Sequence, residues 1–490
     1  MIPIWFTLIP PCVVIIMTTF TRNVLISLTS GIAAAALIAA HGSPARALAL
    51  AGSRIAQEAL QDYHLYTFGF LILLGILIQI MNHSGGIRAY THLLLRYVTT
   101  AKGAQQMSLV LSSLFFIDDY VNNLTVGAIM RPIMDHFKVS RVKLAFLLDS
   151  MSAPVCLLLP ASSWVAFILA QLQTTPFDSD PFMLYMKSMP YLLYPILIVF
   201  TAWVMVSFYG SYGAMRQADH KQPAHEELTQ PSTRYRGGID NFTLPISVFV
   251  ALFVVSLLGG SFFLGKASFL EALQAADPFL ALLVASGCAV GAAGLLFLYH
   301  NPRTYKPLLR AAVDGCLLMK DSLLLLLLAW TLGSLLKNDL QTGAYLASLL
   351  PSTISVTYLP ALLFILSTII SASIGSSWGT IALMLPIAIP LYTNLAATAL
   401  PGFYPALGAL ISGAVAGGHI SPMSDAVLVS SLSAGCSPLS HVRTQASYAS
   451  NALIGALVGY LSLIFFSASL SLPVALATTT GLLVIRNKIG

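Results

Sequence analysis

The chain has 490 residues, of which 57% are apolar and only 9% charged, with a mean hydropathy of +0.83 and a formal net charge of +6. An ordinary soluble domain carries roughly 25% charged residues, so a soluble enzyme, a nucleic-acid binder and a secreted scaffold are excluded. What remains is an all-α polytopic membrane protein whose cations sit in loops and set topology.

In chain order, uninterrupted apolar runs cover 4–20, 24–40, 65–81, 190–209, 242–262, 278–299, 322–336, 358–371 and 452–471, with a shorter one at 472–485. The first run has no basic leader, so it reads as a span and not as a cleaved signal. The five cysteines (Cys12, Cys156, Cys288, Cys316, Cys436) are scattered through apolar stretches, so they are expected to pack and not to form a disulfide framework. Four further apolar regions, 105–137, 142–170, 374–395 and 406–432, are broken by Gly, Ser, Asn and Pro. A break inside a membrane leaves backbone groups that lipid cannot satisfy, so such segments survive only within protein or beside a wet cavity.

The long polar segment 210–240 carries Arg216, Lys221, Arg234 and Arg236 and is expected to be cytoplasmic. It divides the chain into a membrane half 1–209, a linker 210–240 and a second membrane half 241–490. The halves echo one another. NNLTVGAIMRPI from Asn122 and SSWGTIALMLPI from Ser376 share an Ala-x-Met-x-Pro-Ile ending, and PASS from Pro160 falls near the place of PMSD from Pro422. The first motif is followed by the basic loop containing Lys138, Arg141 and Lys143, the second by 390–405, which has no charge. Equivalent loops with opposite marking point to an inverted-topology repeat, an architecture of many secondary transporters. Each half then contains a re-entrant hairpin, with tips at DDYVNN and SIGSSWGT, and a discontinuous helix. The discontinuities are expected around Asp149–Pro154 and Ala416–Pro422.

Acidic residues are costly in a bilayer, roughly 2.5–3.5 kcal/mol at mid-depth. Asp119, Asp149 and Asp425 are therefore candidate ion-binding groups, and Asp118 reads as a helix cap. The small polar residues beside the breaks supply further oxygen: Asn122, Asn123, Thr125, Ser150, Ser152, Ser376, Ser377, Thr380, Ser421 and Ser424. Na⁺ is a hard cation that takes such oxygens, and Asp149 and Asp425 are its candidate carboxylates. A carboxylate can hold either Na⁺ or a proton, which couples the two. His419 joins the candidate set beside the second break. His441 and Arg443 read as interfacial anchors, and Trp378 as hairpin packing. No HExxH, P-loop or GxGD-like aspartyl setting occurs, so an enzyme is not expected. Nor is a cofactor.

The blocks FFIDDYVNNLTVGAIMRPIMD (115–135), SRVKLAFLLDSMSAP (140–154), GSSWGT (375–380), SPMSDAVLVSS (421–431) and HVRTQASYA (441–449) resemble the signature blocks of the NhaC-type Na⁺/H⁺ antiporters. That resemblance implies the ion-transporter superfamily, an elevator-like movement, a homodimer and exchange of Na⁺ for H⁺ across the cell membrane. The chain departs from the family's pattern at GGHISPMSDAV, where Gly418 takes an acidic position. An alternative therefore stays open: a Na⁺-coupled carrier of a small organic solute, an amino acid or organic acid.

Overall fold

The computed structural model describes residues 4–21, 23–86, 89, 93, 97–160, 162–173, 180–220, 238–263, 265, 277–302, 305–342, 345, 355–396, 400–422 and 424–489. Most of the linker, 221–237, lies outside the described residues, as do Arg88, Arg96, 174–179 and 266–276.

The described residues form helices and no strands. In order these are α1 (Ile9–Thr21), α2 (Val24–Ala39), α3 (Pro44–Ala59), α4 (Asp62–His83), α5 (Ala101–Leu114), α6 (Asp119–His136), α7 (Arg141–Leu158), α8 (Ser163–Leu172), α9 (Pro181–Ser188) and α10 (Leu193–Val204). They continue with α11 (Gly213–His220), α12 (Asp240–Phe263, kinked at Gly259), α13 (Pro278–His300), α14 (Tyr305–Ser334), α15 (Leu359–Ile374), α16 (Ser377–Ala396), α17 (Leu400–Ile420), α18 (Asp425–Ala434), α19 (Pro438–Ser462) and α20 (Ser471–Ile489). Among the described residues, five helices are long and apolar enough to cross a membrane, or seven if the bent pairs α7–α8 and α9–α10 each count as one span.

The uninterrupted apolar runs are mainly helical where they are described, although 452–471 leaves its helix after Ser462. The amphipathic α3 was not expected: its apolar positions are too few to register as a span, and Ala47 and Glu58 are its buried residues. The 390–405 stretch, read as a loop, is helical on both sides of 397–399. Pro390 lies inside α16, and Pro405 inside α17. The stretch reads as a loop from its place after the second motif and its lack of charge, yet such apolar sequence continues the flanking helices, which tolerate the prolines.

Burial separates two regions. Within its span window, α17 is 78% buried while α13 is 39% and the C-terminal α20 only 22% buried. The inner region contains α5–α8, α10 and α15–α19. The outer one has α12 on α13, with α13 and α14 both on α4. An apolar outer surface, with Leu295, Tyr299 and Ile369 exposed, suits a lipid solvent.

Two arms joined by a tight turn form a hairpin in each half: α5 with α6, and α15 with α16. The second turns at Gly375, whose φ of 73° is left-handed and favours glycine. Both breaks in the discontinuous helices lie later than the sequence suggested. Helix α7 runs unbroken through Asp149–Pro154, and the chain breaks between Leu158 and Ser163, where α8 departs at 47°. Pro154 is accommodated inside α7; lacking an N–H, it leaves the Ser150 carbonyl without its helical donor. Helix α17 likewise stays helical through Ile420, and the break is confined to Ser421–Ser424.

Helices α15 and α17 meet along a strip of small residues. A Cβ on Gly413 would run into the Phe364 carbonyl, and one on Gly417 into the Thr368 carbonyl. Close backbone approach of this kind is how helices associate when lipid supplies no hydrophobic drive. Gly413→Leu should therefore separate the pair and destabilise the protein by about 1–3 kcal/mol or more. A thermal melt of the detergent-purified variant that matched wild type would show that the helices do not pack there.

The halves interlock. Helix α18 packs on α6 and α7, with the Ser433 hydroxyl donating to the Asn123 carbonyl at 2.5 Å and filling the notch at Gly127. Reciprocally, α8 packs on α16: Trp378 stacks on Phe167 at 4.8 Å and meets Trp164 edge-on at 5.3 Å. Trp378 is thus a packing residue, as expected.

Candidate functional site

Asp149 lies halfway along α7, fully buried. Its Oδ2 accepts a hydrogen bond from Gln445 Nε2 at 2.7 Å, and the same amide nitrogen donates to the His419 carbonyl at 2.9 Å. Both N–H groups of the amide are thereby used. The orientation of that amide is set from behind. His441 Nε2 lies 2.8 Å from Gln445 Oε1, and since a carbonyl oxygen only accepts, Nε2 carries the hydrogen. In the neutral ring Nδ1 is then an acceptor, and the Ser431 hydroxyl lies 3.0 Å from it. His441 and Gln445 are four residues apart on α19 and so share one face.

His419 closes the other side. Tyr194 on α10 reaches its Nδ1 at 2.9 Å. His419 Nε2 stands 4.0 Å from Asp149 Oδ1, beyond hydrogen-bond reach. Neither atom has a hydrogen-bond partner among the described residues, nor do the buried Asn123 Oδ1, Ser150 Oγ, Ser421 Oγ and Ser424 Oγ. Buried polar atoms are normally bonded, so this set of unsatisfied buried polar atoms is a feature to be explained.

The expected residues divide into three groups. Asn123, Asp149, Ser152 and His419 are brought together. Asn123 Nδ2 donates to Ser152 Oγ at 3.1 Å, one turn from Asp149 on α7. A second group lines the adjoining break. The space at Gly418 is bounded by Ser377 Oγ and Ser424 Oγ, and Ser377 donates to the Ala414 carbonyl at 2.9 Å. Ser421 is buried there too. The third group holds the hairpins together. Asn122 closes the first turn by donating to the carbonyls of Ser112 (2.6 Å) and Phe115 (3.2 Å). Ser376 Oγ caps α16 at the Gly379 N–H, 3.2 Å, and Thr380 bonds back to the Ser376 carbonyl, 2.8 Å. Thr125 is buried in α6.

Asp118 and Asp119 are not at Asp149. Asp118 accepts from Ser163 Oγ at 2.8 Å, where α8 begins, and Asp119 is the first residue of α6. Asp425 opens α18, and its side chain lies outside the described ones. All five cysteines are free; Cys156 is buried, while Cys12, Cys288 and Cys316 are exposed and so do not pack inside.

The sequence reading missed Gln445, Tyr194 and Ser431, and it misplaced His441. His441 is fully buried, because α19 turns its His441–Gln445 face into the core and leaves Leu439, Ser440, Arg443 and Ala446 exposed. The i, i+4 spacing of His441 and Gln445, next to the buried Tyr448, was the available signal.

A helical membrane body with a buried carboxylate among polar oxygens between two interlocked halves defines an integral membrane secondary transporter. The chain belongs to the Na⁺/H⁺ antiporter family, whose sequence profile matches residues 155–464. It is a transporter and not an enzyme. An uncharacterized protein of Haemophilus influenzae is 31% identical over 478 residues, covering 94% of this chain and 90% of that protein. The crystal structure of the YdaH transporter of Alcanivorax borkumensis, reported to have an unusual topology, superposes with a TM-score of 0.55 at 14% identity. It covers 86% of this chain and 89% of that one. At that identity the likeness is one of fold. MtrF of Neisseria gonorrhoeae gives a TM-score of 0.45 at 15% identity, over 88% and 85% of the two chains.

Proposed function

We propose that this protein exchanges Na⁺ for H⁺ across the cytoplasmic membrane, with Asp149 as the group that holds one or the other. The observation that carries this reading is the state of Asp149: one carboxylate oxygen clamped by Gln445 and the other without a donor among the described residues, within a polar set that includes His419 Nε2 at 4.0 Å and the Asn123–Ser152 pair one helical turn away. A hard monovalent cation takes such a set, and so does a proton, but not both at once. The interlocked hairpins and bent helices support two inverted repeats, 1–209 and 241–490, with re-entrant hairpins, joined by a cytoplasmic linker. They also support an elevator movement of the inner region against the outer helices, in the manner of NhaC-type antiporters working as homodimers. The direct test is purified protein in proteoliposomes: an imposed Na⁺ gradient should drive proton movement, and its absence would remove the proposal.

One observation favours the alternative of Na⁺-coupled solute transport. The family's acidic position is Gly418, and its surroundings are hydroxyls, so the second break adds no carboxylate there. Under that reading Na⁺ and solute bind together, and each tightens the other by the same factor. Calorimetry of Na⁺ binding with and without amino acids or organic acids separates the two: exchange predicts no solute effect.

Sidedness is tested independently. In a cysteine-free background, single cysteines placed within 221–237 and 397–399 should label from opposite faces of intact cells. Labelling from the same face would defeat the inverted arrangement.

A further inference from the structure

Helices α19 and α20 run antiparallel. A Cβ on Gly459 would meet Ala475, one on Gly455 would meet Thr479, and Arg486 near the end of α20 reaches Ser447 and Ser450. Within its span window α20 is only 22% buried, so most of it stands outside the protein, where a membrane helix meets lipid.

The edge of α19 beside it changes character along its length. Arg443, Ser447, Ser450, Ile454 and Leu461 follow one another at helical spacings of three, four and seven, and so share one face. Arg443, Ile454 and Leu461 are exposed, and the two serines are half-buried. The order along the strip is cation, hydroxyl, hydroxyl, then two aliphatic side chains. That is also the order of a phospholipid, from its phosphate through its ester oxygens to an acyl chain. At 1.5 Å per residue the strip is about 27 Å long, enough for a single leaflet of about 20 Å with its headgroup.

The polar end of the strip is held in place. Arg486 Nη1 donates to the Ser447 carbonyl at 2.6 Å and to Ser450 Oγ at 2.7 Å, which uses both of its hydrogens. Nε and Nη2 have no acceptor among the described residues, so that edge of the guanidinium can take two phosphate oxygens side by side. Ile485 next to it is 54% exposed, which sets the arginine at the lipid-facing surface. The antiparallel course carries the exposed Lys488 from Arg486 toward the Arg443 end of α19. Among the described residues none of these three cations pairs with a carboxylate.

We propose that this strip binds one anionic phospholipid, its phosphate held by Arg443 and the free edge of Arg486, and its chain laid along Ile454 and Leu461. The position of the strip selects a lipid over a soluble anion, because its apolar half opens beside the lipid-facing α20. The charge selects an anionic headgroup, because each unpaired cation at the membrane surface favours an acidic lipid. A zwitterionic lipid would bring its own ammonium among three cations. The headgroup also touches the fold at a junction. The Tyr212 hydroxyl donates to the same Ser447 carbonyl at 3.3 Å, so a lipid that steadies Arg486 steadies the start of the linker on α19.

The test is native mass spectrometry of the purified full-length protein released from nanodiscs that contain equal amounts of phosphatidylglycerol and phosphatidylcholine with the same chains. Wild type should retain phosphatidylglycerol over phosphatidylcholine by at least about fivefold. Arg443→Gln and Arg486→Gln should each lower that preference by about fivefold. Arg443 is exposed, so its variant keeps the question answerable if Arg486→Gln loosens α20. Lys306→Gln, which removes an exposed cation at the start of α14, should leave the preference unchanged. Inorganic phosphate should not displace the lipid. Equal retention of the two lipids would overturn the proposal, as would a preference that survives both arginine substitutions. An equal loss in Lys306→Gln would reduce it to general surface charge, and displacement by phosphate would reduce it to a free-anion site; either result defeats it. The same spectra count subunits. A changed oligomeric state in Arg443→Gln with lipid retention intact would give the strip to a second copy of the chain and overturn the proposal as well.

Discussion

Asp149→Asn is expected to abolish Na⁺-driven proton flux, lowering it by at least about a hundredfold, the equivalent of some 2.7 kcal/mol. The substitution keeps the shape of the side chain. An amide oxygen can still accept from Gln445 Nε2, now at 2.7 Å from Oδ2, so insertion and folding should be retained. What disappears is the negative charge that Na⁺ requires and the site that a proton can occupy. The same logic fixes the pH dependence in the wild type. A proton on Asp149 excludes Na⁺, so apparent Na⁺ affinity is full when the carboxylate is ionised. It falls by about tenfold per pH unit once the pH drops below the pKa of the group. Flux titrations at several pH values measure this directly. An Asn variant with wild-type Na⁺ dependence would take Asp149 out of the site.

The second large effect is expected at Gln445. Gln445→Met fills much the same volume but removes two donors and one acceptor at once. Asp149 Oδ2 and the His419 carbonyl lose their donor, and His441 Nε2 loses its acceptor. A buried group left unsatisfied costs about 1–3 kcal/mol, more if charged, so half-saturating Na⁺ should change by one to two orders of magnitude. Gln445→Glu restores the acceptor for His441 without the donors for Asp149. If clamping Asp149 is the role of Gln445, Gln445→Glu should remain impaired in Na⁺ dependence. Rescue by Glu would assign the effect to the seating of His441 instead.

Much of the fold was legible because lipid makes it so. A run such as 278–299 can satisfy its backbone only as a helix, and α13 spans Pro278–His300. The ends of the breaks were less legible. Proline and serine mark places where a helix can be left, but Pro154 and Gly417 stay within helices because neighbours pack tightly around them. Asp149 and His419 could be picked out by the cost of polar groups in apolar sequence. Gln445 could not, since an uncharged amide carries little of that signature, and its importance comes from contacts almost 300 residues apart in the chain. Asp119 shows the opposite case: it is acidic, but it opens α6 at the hairpin turn and is not among the groups that hold Asp149.

The exchange of contacts between the halves has a consequence for biosynthesis. The notch at Gly127 on the first hairpin is filled by Ser433, and the aromatic wall of Trp164 and Phe167 waits for Trp378. Ser433 emerges from the ribosome about 260 residues after α8 is complete, on the order of ten to fifty seconds at 5–20 residues per second. Throughout that interval the nascent first half holds Asp149 without Gln445 and a hairpin without its cover. A membrane-resident holding factor, or a slow translation rate matched to insertion, would act on this half-built state, and a chain released early would be the natural target of quality control.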